Sequence, residues 1–145
     1  SLRENLEAQI QSLGLSDRIS LPGSTQNIAA EYQSANLFVM PSKYESFGLT
    51  VVEALSYGLP VVGFQSCQGV NQLVRSGVNG LLVDATGHRV TALATSLKRM
   101  MSDESLLHNL SRGTTESLEP HRLRNVLDHW EVLLSETWSV PQDKS

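Results

Sequence analysis

Two carboxylates, Glu45 and Glu53, stand eight positions apart in the stretch PSKYESFGLTVVEALSYGLPVVGF, residues 41–64. The stretch is otherwise largely apolar and punctuated by glycine. A carboxylate accepts hydrogen bonds on both oxygens, and the vicinal hydroxyls of a sugar are matching bidentate donors. Glu45 precedes the helix start predicted at Phe47-Gly48-Leu49, and Glu53 follows inside that helix. A helix start offers unpaired N–H groups and a positive dipole end, suited to phosphate or hydroxyl oxygens. Gly48 would let a ligand approach the backbone. Taken alone, each glutamate also fits a solvated loop or an exposed helix position. Val51, Val52, Ala54 and Leu55 around Glu53 argue for a satisfied carboxylate, since a lone one among apolar groups is costly.

The elements that must hold these residues alternate strand and helix. Leu2, Leu6, Ile10 and Leu13 recur at helical spacing and end at Gly14. RISLPG (18–23) reads as a short strand closed by Pro22-Gly23, and 26–34 as a helix. NLFVMPS (36–42), PVVGF (60–64) and GLLVD (80–84) read as strands, with helices over 48–57 and 69–77 between them. Continuous apolar strands separated by helices predict a parallel sheet covered on both faces. The fold class is therefore α/β, a Rossmann-like layer of about four strands. From residue 86 the pattern is helical only, with Pro120 expected at or near the first turn of the last helix. Domain organisation is one domain over 1–138 and a disordered tail over 139–145.

Composition narrows the function classes. A net charge of −4 with scattered basic residues argues against a nucleic-acid partner. The single cysteine, Cys67, cannot form an internal disulfide, and as a thiol it reads as a bystander near the site. His88, His108, His121 and His129 show no metal-ligand spacing. Lys43 and the HRLR group at 121–124 read as solvated charges. No apolar run approaches the roughly 20 residues that span a bilayer. Because Ser1 leads straight into a helix, the sequence is expected to be a piece of a longer chain.

The residues from Pro41 to Val62, P-S-x-x-E-S-F-G-L-x-x-x-E-A-L-x-x-G-L-P-V-V, closely resemble the signature of group 1 glycosyltransferases, also called family 4. The likeness covers about residues 2–84, and Trp130 in HWEVLL resembles the family's closing helix. It implies a retaining enzyme of GT-B architecture, with this chain a partial C-terminal, donor-binding domain. It further implies that Glu45, as the catalytic-site residue, accepts hydrogen bonds from the donor sugar. Backbone N–H groups of Ser46, Phe47, Gly48 and Leu49 would face sugar and diphosphate, and Glu53 would hold the ribose hydroxyls. Ser24 and Thr25 would lie beside the base. The implied donor is a nucleotide sugar, UDP-linked by family habit with GDP the alternative, and no metal or other cofactor is implied. The acceptor would be a glycan or lipid-linked sugar in polysaccharide or glycolipid synthesis. The location would be cytoplasmic, with peripheral membrane contact through the full-length protein.

Two departures accompany the resemblance. The Arg and Lys that neutralise the diphosphate in the family, and the whole N-terminal acceptor domain, have no counterpart in these residues. At 67–72 the chain reads CQGVNQ, where many relatives carry a Gly-Gly pair and an acid. The sequence alone is accordingly expected to be inactive in transfer. Rival readings are a glycosidase using the two glutamates as acid and base, and a module that binds nucleotide sugar without catalysis.

Overall fold

The computed structural model describes residues 1–137; the tail expected to be disordered, 139–145, lies outside them. The chain divides into two units, 1–31 and 32 onward.

In the first unit, α1 (Leu2–Ser12) starts in a capping box. The Ser1 hydroxyl accepts from the Glu4 N–H while the Glu4 side chain returns to the Ser1 amine. No residue of α1 is buried. The strand expected over 18–23 does not form. The N–H groups of Arg18 and Ile19 turn back to the Leu15 carbonyl, and Leu21 offers its carbonyl to the Arg3 guanidinium. A strand exists only through a partner that takes its main-chain groups, and the described sheet contains no segment of this unit. About four strands were expected, and three are present among the described residues.

The division falls within α2 (Ile28–Ser34). The second unit then alternates as the apolar runs predicted: β1 (Phe38–Met40), α3 (Leu49–Ser56), β2 (Val61–Phe64), α4 (Gln68–Asn71) and β3 (Gly80–Val83). The strands are parallel in the order β1-β2-β3, with Phe38 opposite Val61 and Val62 opposite Leu81. Every residue of central β2 is buried, because helices cover both its faces. The core gathers Val51, Ala54 and Leu55 of α3, Val61 and Val62 of β2, and Val70 and Val74 from the α4 region.

α5 (Arg89–Ser102) and α6 (Glu104–Ser117) add Met100 and Leu110 to this core. Asp103 separates the two helices and caps the second by accepting the Leu106 N–H at 2.9 Å. Pro120 falls near the start of the last helix, as expected, in a 3-10 turn, Glu119–His121, just ahead of α7 (Leu123–Thr137). Arg122 is extended (ψ 140°), which breaks the two elements apart. The helix expected over 69–77 stops at Asn71. Beyond it, the buried Asn79 side chain takes the Arg75 N–H at 2.7 Å and donates to the Leu73 carbonyl at 2.9 Å. Those bonds hold a turn in place of further helix. No helix among the described residues is long and apolar enough to cross a membrane.

Candidate functional site

In a parallel sheet every strand-to-helix loop emerges on one edge, the carboxyl ends of the strands. The loop from β1 to α3 carries both candidate carboxylates or leads to them. Pro41 ends β1, since it cannot donate to a ladder. Gly48 then caps α3 in the left-handed region (φ 82°, ψ 50°), with no side chain capping the helix. The N–H groups of Val51 and Val52 return to the Gly48 carbonyl at 2.9 and 3.2 Å. The N–H groups of Leu49 and Thr50 lie ahead of the first intrahelical bond and point out of the helix end.

The loop is locked by a second glycine. The Gly69 N–H, at the start of α4, donates to the Glu45 carbonyl at 3.1 Å. A Cβ on Gly48 would lie 2.7 Å from the Gly69 carbonyl oxygen, and one on Gly69 would lie 2.6 Å from that of Glu45. The two backbones interlock only because both residues lack a side chain. Asn71 shapes the neighbouring loop by donating to the Gln65 carbonyl at 2.7 Å. Cys67 is fully buried at the start of α4, so it faces the core rather than the site.

The two glutamates sit differently. Glu45 is half-buried, and among the described residues its carboxylate has no hydrogen bond or ion pair. Glu53 is exposed although its neighbours in sequence are apolar. Val51, Ala54 and Leu55 turn into the core while Glu53, between them in sequence, points outward around the helix. Glu53 Oε2 accepts a hydrogen bond from the Tyr32 hydroxyl at 3.0 Å. Tyr32 is buried, stacked on Tyr57 at 5.3 Å and edge-on to Phe38 at 6.0 Å. Burial, with the Glu53 hydrogen bond adding to it, pushes the Tyr32 phenol up to about 12. The phenol therefore remains a donor to Glu53 at any physiological pH.

Ser46 is exposed, Phe47 half so, and Leu49 is exposed. The Phe47 ring meets the His121 ring edge-on, centroids 6.0 Å apart at 78°. Ser24 and Thr25 are exposed in the first unit, where the Thr25 hydroxyl accepts the Asn27 N–H at 3.0 Å. The second unit thus brings Glu45, Ser46, Phe47, Gly48, Leu49 and Glu53 into one loop and helix start. Two contributors escaped the sequence reading, Tyr32 and Gly69. Tyr32 had a signal, because a tyrosine on an apolar helix face needs a partner for its hydroxyl. Gly69 had none, since a close approach between distant backbones leaves no local mark.

The family model for "Glycosyl transferases group 1" matches residues 1–117. Among curated proteins, a D-inositol 3-phosphate glycosyltransferase of Salinispora tropica is 40% identical over 70% of this chain. An exopolysaccharide phosphotransferase of Streptomyces coelicolor is 33% identical over 92% of it. A poly(glycerol-phosphate) alpha-glucosyltransferase of Bacillus subtilis is 30% identical over 94%. The chain spans only 21%, 14% and 20% of these relatives' own lengths. Among solved structures, sucrose-phosphate synthase from Thermosynechococcus elongatus superposes with TM-score 0.77 at 27% identity, over 94% of this chain and 34% of that one. The Anabaena protein Alr3699/HepE, solved in complex with UDP, gives 0.79 at 25% identity, over 92% of this chain and 36% of its own. With the family model matched over most of its length, the chain belongs to the group 1 glycosyl transferases.

Proposed function

We propose that this chain supplies most of the donor site of a retaining glycosyltransferase of family 4. The observation that carries the reading is the uncapped start of α3, where the left-handed Gly48 is held against Gly69 and flanked by Glu45 and Glu53. Backbone N–H groups there would take the diphosphate of a nucleotide sugar, and the helix dipole would stabilise charge on it as the sugar leaves. Glu53, exposed and steadied by Tyr32, would accept from the ribose hydroxyls. Glu45 would accept from hydroxyls of the transferred sugar. In the reaction the bond from the anomeric carbon to the phosphate oxygen breaks, the nucleoside diphosphate leaves with that electron pair, a glycosidic bond to an acceptor hydroxyl forms, and the hydroxyl proton passes to the departing phosphate oxygen. Retention of configuration is part of the proposal, as is catalysis without a bound metal.

UDP is the proposed nucleotide, in line with the UDP bound to Alr3699/HepE. A glycan or lipid-linked acceptor is proposed in line with the relatives named for exopolysaccharide and poly(glycerol-phosphate). A cytoplasmic site of action with peripheral membrane contact goes with that acceptor class. The missing Arg and Lys and an N-terminal acceptor domain would come from the rest of the enzyme, so the 145-residue chain by itself is expected to show no transfer.

The test is a nucleotide-sugar binding and transfer panel on the full-length enzyme. Glu53→Ala should weaken nucleotide binding, and Glu45→Ala should lower transfer more than binding. Wild-type behaviour in both variants refutes the site. Binding without transfer in the unmutated enzyme would favour the non-catalytic module.

A further inference from the structure

We infer that His121 is a positioning residue for the donor loop, acting through Phe47; the inference rests on the donor-site reading above. The 3-10 turn Glu119–His121 is built as a rigid strut. Pro120 fixes its first turn, and the His121 N–H bonds to the Leu118 carbonyl at 2.9 Å. Glu119 ion-pairs with Arg122 at 2.8 Å, and its carbonyl accepts from the Asn125 side chain. The base of the strut is anchored, because Leu118 packs against the core. Its tip is the His121 ring, which meets the ring of Phe47 edge-on.

Phe47 immediately precedes Gly48, so the ring contact bears on the N–H groups that would face the diphosphate. Nothing in the core needs this contact. His121 is exposed, and beneath it a cleft of about 320 Å³ separates the turn from α3, lined by Val52, Ser56, Thr115 and Leu118 along with His121 and Arg122. The turn thus reaches over α3 to touch the donor loop by a ring rather than packing down on the helix. An edge-to-face pair needs a ring at this position, not an imidazole in particular.

The strut bears on the diphosphate part of the ligand, and Glu53 on the ribose part. Binding of UDP and of uridine to the full-length enzyme separates them, with GDP and guanosine run in parallel. For the pair that wild type binds, His121→Ala should weaken the nucleoside diphosphate roughly three- to tenfold and leave the nucleoside unchanged. His121→Phe should restore wild-type affinity. Unchanged diphosphate affinity in His121→Ala overturns the inference, as does equal loss for diphosphate and nucleoside, or failure of a folded His121→Phe to restore binding. Glu53→Ala is the control for the underlying reading and should weaken both ligands. If Glu53→Ala behaves as wild type, or wild type binds neither pair, the donor site itself is refuted and the strut with it. A loss in Glu53→Ala alone refutes only the strut.

Discussion

Gly48→Ala is the sharpest test of how the loop is held. Gly48 lies at φ 82°, where an L-residue costs about 1–2 kcal/mol. Its new Cβ would also lie 2.7 Å from the Gly69 carbonyl oxygen and 3.4 Å from the Leu73 side chain. The near atom is backbone, so the start of α4 or the loop from β1 to α3 must move, adding about 1–2 kcal/mol. The sum, about 2–4 kcal/mol, corresponds to a fall in melting temperature of roughly 6–12 °C for a domain of this size. Two other glycines separate the contributions. Gly77 has φ 84° but open space around it, so Gly77→Ala reports backbone strain alone, about 1–2 kcal/mol. Gly87 has neither strain nor a neighbour within 4 Å, so Gly87→Ala should be neutral within about 0.5 kcal/mol. Thermal or urea unfolding of the three variants gives the order Gly48, Gly77, Gly87 from most to least destabilised. UDP affinity should fall only in Gly48→Ala, by about tenfold or more, because only there do the loop's N–H groups shift. A Gly48→Ala protein no less stable than Gly77→Ala would refute the interlocked backbone.

Two further results follow from the packing around the site. Tyr32 has its phenol raised from 10.0 to about 12, so the folded state favours the neutral form. The stability it contributes is intact below pH 10 and lost as pH rises toward 12; ultraviolet titration should show one of the three tyrosines ionising well above the ordinary phenol range. Tyr32→Phe should remove that late step and loosen nucleotide binding a few-fold by freeing Glu53. Asn79 is fully buried and links Leu73, Arg75 and the Ser117 hydroxyl of α6 at 2.9, 2.7 and 2.8 Å. Asn79→Ala strands those groups and should cost about 2–4 kcal/mol in urea unfolding, with no selective loss of nucleotide affinity; a cost under about 1 kcal/mol would refute the network.

Much of this molecule was written locally. Continuous apolar runs located β1, β2 and β3, and Gly48 and Gly58 bracketed α3 to within a residue or two, because backbone preference and solvent exclusion act over short spans. The spacing of Glu45 and Glu53 about a helix start was likewise legible, and with it the family. The outward direction of Glu53 was also available in principle. Helical periodicity sends Val51, Ala54 and Leu55 inward together, whereas adjacency in sequence suggested a carboxylate among apolar neighbours.

Tertiary structure decided what depends on partners distant in the chain. Residues 18–23 have strand composition but join no strand among the described residues, and the N–H groups of Arg18 and Ile19 turn to Leu15 instead. The Tyr32–Glu53 hydrogen bond spans 21 positions and the Ser117–Asn79 bond 38. Gly48 and Gly69 approach within a distance that no side chain permits, and His121 comes from beyond α6 to meet Phe47. Residue type and local pattern marked which groups are candidates for holding a ligand and on which kind of element they stand. Folding decided which carboxylate is steadied and which glycine is indispensable. Those depend on the distance between surfaces brought together by burying the core, a quantity that short-range propensity does not encode.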